Sequence, residues 1–214
     1  MIVTAGVLMG IQVSNWNDNR LEKARLDQQS ISLRTELKGN LATIRVYQGH
    51  VESQLADVLA LQRIFDRPGS DEGPIDGKLM NVFRVRSMML ETSAHDELNA
   101  TGNFRYVAPE IRSAMTEWQA RKGMLERVDQ DALSFRVSAV DHLFGALAFD
   151  PMVKSLAPSF QPSAEAPLRN DPARLAKDPK VRNYLAMRYA IENQKLQFSK
   201  DLEQSTERLI ALSK

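Results

Sequence analysis

The chain has 214 residues, with 28 Lys and Arg against 27 Asp and Glu, a formal net charge of +1. That balance excludes the electrostatic footprint of a nucleic-acid binder and of a polybasic membrane-surface protein. An apolar share of 43% excludes disorder throughout, and the absence of cysteine removes disulfides, thiolate zinc sites and cysteine nucleophiles. It leaves the redox compartment open.

The first charged residue is Asp18. Before it runs a mostly apolar stretch, Met1 to Val13, then Ser14, Asn15, Trp16 and Asn17. As a helix, Met1–Val13 reaches about 20 Å, against a hydrocarbon core of about 30 Å. No Lys or Arg precedes it, so it does not read as a signal peptide. Two readings stand. It is the C-terminal part of a transmembrane helix whose start is missing from this chain, or a buried helix end of a soluble domain. Trp16 favours the first, because an indole suits the headgroup level and this one falls where apolar sequence gives way to charged sequence. Residues 1–17 are therefore expected to be membrane segment, with Asn15, Trp16 and Asn17 at the interface, and 18–214 an extracytoplasmic helical domain. Gly6 and Gly10 are spaced for close helix packing in lipid, a weak signal alone.

The stretch Ile11 to Arg20, with Asn15, Trp16 and Asn17 at its centre, resembles a family of uncharacterised bacterial proteins held in the membrane by one helix. Their helix runs into a Leu-Gln-x-x-Asn-Trp-Asn boundary and then a long charged helix. A second likeness lies at Thr92 to Asn103, where the family often has Glu-Leu-x-x-Ser-Gly-Asn and this chain has Glu97-Leu98-Asn99-Ala100-Thr101-Gly102-Asn103. Pro109, Glu110 and Ile111 then open a helix, as in the family. The missing first half of the membrane helix is a departure from the pattern. The resemblance implies a single-pass bacterial inner-membrane protein with its main domain outside the cytoplasm. It implies no enzyme activity and no known ligand.

Residues 18–66 contain no Pro, and Leu37, Ile44, Val51, Val58 and Phe65 recur at sevens, with Leu41 and Leu55 on the adjacent seam. This predicts one long helix facing other helices in a bundle or coiled coil. It stops near Asp66, because Pro68, Gly69, Gly73, Pro74 and Gly77 follow. Leu79–Leu90 reads as a second helix, with Arg86 out of character on its apolar face, and a strand is the alternative. Ser93 reads as the N-cap of a short helix, with Asp96 and Glu97 in its first turn and Gly102 just past its end. A long helix opens at Pro109 and runs to about Phe149, on a seam of Ile111, Trp118, Leu125, Ala132 and Ala139 beside Val128, Phe135 and His142. The connection at 150–179 is rich in Pro, with helical turns expected near Met152–Leu156 and Pro172–Leu175. The last helix starts at Asp178 and Pro179, on seams of Tyr184, Ile191, Phe198 and Leu212, and of Val181, Leu202 and Leu209. The expected fold is all-α, an antiparallel bundle of about four helices whose long first helix continues from the membrane segment.

Little chemistry is legible. His50, His95 and His142 form no i, i+4 metal pair, and no phosphate loop, dinucleotide fingerprint or nucleophile elbow can be read. His142 reads as a core histidine and His95 as a surface or capping residue. One constellation is a candidate anion site: Arg84, Arg86 and Arg105 flank the short helix starting at Ser93, against the simpler reading of salt bridges to Glu91, Asp96 or Glu97. The expectation is a non-enzymatic, membrane-anchored domain for binding, sensing or scaffolding at the cell envelope. Its partners would be the bilayer and a second copy or another envelope protein, with no cofactor, metal or nucleic acid. The alternatives are a soluble helical adaptor whose apolar N-terminus packs in its own core, and an enzyme with a carboxylate metal site built from separated helices.

Overall fold

The computed structural model describes residues 2–69, 72–161 and 170–213, with the side chains of 2–19 and of Phe144 outside that description. Seven α-helices occur among the described residues: α1 (Ile2–Asp66), α2 (Ile75–Phe83), α3 (Ser93–Ala100), α4 (Pro109–Ala146), α5 (Phe149–Leu156), α6 (Pro172–Leu175) and α7 (Pro179–Leu212). A 3-10 turn covers Asn103–Tyr106, and no strand occurs among the described residues. The expected all-α class holds.

The chain divides into two compact units, Met1–Ala42 with Leu90–Glu117 and Ser205–Lys214, and Thr43–Met89 with Trp118–Gln204. In the second unit α7 runs antiparallel to α1: Arg45 meets Glu203 at 2.7 Å, and Arg182 meets Asp66 at 3.2 Å. It also runs antiparallel to α4, since Arg121 donates to the Asp201 carbonyl and His142 bonds Asp178. The chain after α2 descends along α1, from Asn81 beside Asp57 to Arg84 beside Gln54. The first unit repeats this sense, with Glu91 on Asn40, Ala94 on Glu36 and Glu97 on Gln29. In the second unit three legs come from the long helices α1, α4 and α7, and the second leg in chain order is α2 with the non-helical segment that follows it.

That break corrects the predicted helix over Leu79–Leu90. The helical part is α2, ending at Phe83, and Arg84 is already extended at φ −68° and ψ 137°. The apolar periodicity was real, and Leu79 and Val82 are buried, but the main-chain carbonyls beyond α2 are taken by side chains rather than by a next helical turn. Three smaller boundaries also shift. The N-cap of α3 is Thr92, not Ser93. Helix α4 ends at Ala146, and Phe149 opens α5. Asp178 caps α7 as expected, its carboxylate accepting from the Lys180 and Val181 main-chain N–H groups. Gly102 has φ +69°, the left-handed conformation expected of it.

The core of the second unit joins Val58, Leu61, Ile64 and Phe65 of α1 to Leu79 and Val82, to Leu143 and Leu147, to Met152 and Leu175, and to Val181, Tyr184 and Leu185. Asn170 pins the long connection: its side chain bonds both main-chain groups of Ala148 and the Asp76 carboxylate. Pro162 and Pro167 lie outside the described residues.

No helix among the described residues is long and apolar enough to cross a membrane, so the expected transmembrane segment finds no support there. The side chains of Asn15, Trp16 and Asn17 lie outside those described, although α1 runs through them without a break.

Leu61 is fully buried, whereas Leu59 is 39% exposed. Leu61→Ala should cost about 2–5 kcal/mol in urea unfolding, and Leu59→Ala about 0.5 kcal/mol or less. Equal losses would contradict this core.

Candidate functional site

The heptad arithmetic of α1 and α7 leads to the site. On α1 a second series at sevens, Leu33, Asn40, Tyr47, Gln54 and Leu61, is buried throughout. On α7 the buried series is Val181, Arg188, Lys195, Leu202 and Leu209, with Glu192 and Ser199 beside it. Polar and charged residues thus occupy the middle of two core seams. Ile191 and Phe198, which sequence places on the seam, are only half-buried. The signal in the sequence was the gap: Val181, Leu202 and Leu209 lie in one heptad series whose missing members are Arg188 and Lys195.

These side chains clamp the main chain after α2. Gln54 Nε2 donates to the carbonyls of Asn81 and Arg84, both at 2.7 Å. Arg188 Nη2 donates to the Arg84 carbonyl at 3.0 Å, and Lys195 Nζ to the Arg86 carbonyl at 3.2 Å. Asp129 of α4 is the hub. Its Oδ2 accepts the Met88 N–H at 2.9 Å, and its Oδ1 accepts the Tyr47 hydroxyl at 2.7 Å and lies 2.9 Å from Lys195 Nζ. Gln54 and Tyr47 are seven positions apart on α1, about 10.5 Å. The chain covers that span between Arg84 and Met88, so it must be extended there rather than helical.

Arg188 and Glu192 are fully buried and 2.6 Å apart, one helical turn from each other. The contact is not aligned as a hydrogen bond. Nε and Nη1 of Arg188 and both carboxylate oxygens of Glu192 have no hydrogen-bond partner among the described residues, and neither has the Tyr184 hydroxyl. Burial pushes the Glu192 carboxyl up, and Asp129 adds to that; Arg188 and Lys195 pull the other way and do not offset it. Burial, then the Asp129 charge, pushes the Tyr47 hydroxyl far above the ordinary tyrosine range, so it remains a donor.

Of the residues expected to hold an anion, Arg84 and Arg86 fall in the second unit, Ser93 and Arg105 in the first. The N-terminus of α3 already holds a carboxylate of this chain: Glu36 Oε2 accepts from the Ala94 N–H at 2.6 Å and from the Ser93 hydroxyl at 3.2 Å. Arg105 lies over the Tyr106 ring at 4.6 Å and donates to its hydroxyl. The Glu97–Asn103 segment is tied by Gln29, which donates to Glu97 and accepts from Asn103. His95, expected as a surface or capping residue, is buried and packs edge-on to Phe104.

A groove of about 360 Å³ is lined by Phe135, Ser138, His142, Lys180, Tyr184 and Met187. Ser138, His142 and Asp178 resemble a hydrolase triad by residue type alone. The Ser138 hydroxyl donates to the Phe135 carbonyl, with no bond to His142. Burial opposes the Asp178 charge, but His142 and the two capping N–H groups outweigh it and hold its pKa below the usual range. Asp178 is a helix cap in this setting. No cluster of three metal-binding side chains occurs among the described residues.

Comparison with protein-family models, with curated proteins and with solved structures finds no match to this chain.

Because folding raises the Glu192 pKa, the folded state keeps a proton that the unfolded chain has lost. Stability should therefore fall as pH rises from the ordinary glutamate range through the raised folded value. Glu192→Gln should flatten that slope and cost about 1–2 kcal/mol or less, whereas Lys195→Met strands the Asp129 charge and should cost about 3–5 kcal/mol. Urea midpoints across pH check both. A slope that survives Glu192→Gln would assign the titration elsewhere.

Proposed function

We propose that this chain is a non-enzymatic helical binding or scaffolding domain, held at a bacterial inner membrane by its apolar N-terminal segment with the main domain outside the cytoplasm. The observation that carries this reading is the use made of the buried polar side chains. Gln54, Asp129, Arg188 and Lys195 each place a hydrogen bond on the main chain of one extended segment. They build a rigid scaffold and present that segment at the surface, where Met89 is 86% exposed. The anchor is supported by the apolar stretch before Trp16 and by its continuity with α1, which runs unbroken from Ile2 to Asp66. The likeness of Asn15–Asn17 and of Glu97–Asn103 to a membrane-anchored bacterial family points the same way.

Liposome flotation tests the anchor. The full chain should float with lipid vesicles in high salt and in alkaline carbonate, and Val7→Asp with Leu8→Asp should abolish flotation. Full recovery of the unaltered chain in the soluble fraction would favour the soluble adaptor.

A further inference from the structure

Along an extended chain, the N–H and C=O of one residue face one side and those of the next face the other. The Arg84 and Arg86 carbonyls and the Met88 N–H all face the bundle, where Gln54, Arg188, Lys195 and Asp129 take them. The main-chain groups of Val85, Ser87 and Met89 therefore face outward. None of them bonds to another described residue, and Ser87 and Met89 are exposed. No proline interrupts 84–92, so every donor is present. The result is a short extended edge fixed on one side by a buried clamp and open on the other. Its ordering cost has already been met by the fold, which favours addition of a second strand.

The charges select the occupant. The Arg84 and Arg86 guanidinium groups form no ion pair with a described carboxylate, although both flank the edge. The clamp beneath adds no net negative charge: Arg188 and Lys195 face Asp129 and Glu192, and burial favours the neutral form of Glu192. A second copy pairing through the same edge would bring its own arginines against these two, and like charges across a strand pair repel. A segment bearing carboxylates is attracted instead.

We propose that the outward edge of Val85–Met89 binds an extended, carboxylate-rich peptide segment of a protein partner as an added strand. This names a partner class for the binding role above and rests on that reading, though not on the membrane anchor.

The test uses the full chain and a capped Glu-Val-Glu-Val-Glu-Val peptide, with amide hydrogen exchange read at single residues. The peptide should slow exchange of the Val85, Ser87 and Met89 amides about tenfold or more at saturation. The matching Lys-Val peptide, and the Glu-Val peptide N-methylated on alternate amides, should give no protection. Ser87→Pro removes only an outward donor and should abolish binding with circular dichroism unchanged. Arg84→Ala with Arg86→Ala should weaken binding about tenfold and reduce its salt dependence. Unchanged exchange with the Glu-Val peptide overturns the proposal, and so does equal protection by the N-methylated one. That last comparison uses the unaltered chain, so it stands even where Ser87→Pro does not fold. Flotation is scored separately, so loss of the anchor and loss of the edge give different results.

Discussion

The Asp129 carboxylate, held between Tyr47, Lys195 and the Met88 N–H, is the interaction on which this architecture turns. A helical bundle satisfies its main chain within each helix. Here one leg leaves the helix at Arg84, and its carbonyls and N–H groups enter the interior without helical partners. Each such group left unsatisfied would cost about 1–3 kcal/mol. Gln54, Arg188, Lys195 and Asp129 supply the missing bonds. Hydrophobic residues at those positions would pack as well but could not hold a non-helical chain. The buried charges therefore specify which conformation the second leg adopts, at a cost in desolvation that the orphan atoms of Arg188 and Glu192 make visible.

Much of the scaffold could be read from residue patterns. The sevens of Leu37 to Phe65, the prolines at 109, 172 and 179, and Gly102 fix helix positions through local physics, and the structure follows them. The clamp was not legible in the same way. Apolar periodicity points to seams, and a polar residue on a seam reads as an interruption. Gln48 and Gln62, which are half-buried, and Gln54, which is buried, look alike in sequence. What separates them is a carbonyl from a segment thirty residues away. The break at Arg84 was hidden for the same reason, since Val85, Met88 and Met89 continue an apolar run and only long-range bonds end the helix.

The N-terminus of α3 shows the converse. A helix N-terminus with arginines nearby is a sound electrostatic pattern, yet Glu36 of α1 fills it. Sequence proximity cannot show that a carboxylate fifty-eight positions away arrives first. The same applies to the Glu97–Asn103 segment, whose polar ends both close on Gln29. These bonds attach α3 to the first helix.

Residue-resolved hydrogen exchange of the unliganded chain addresses the central claim most directly. If Asp129 holds the second leg, the Met88 amide exchanges only on global opening, at a rate close to those of the α4 core, while the neighbouring Ser87 amide exchanges fast. Asp129→Asn, which keeps the shape and loses the charge, then releases Met88 well before the helices. Met88 exchanging as fast as Ser87 in the unaltered protein would mean that no clamp exists.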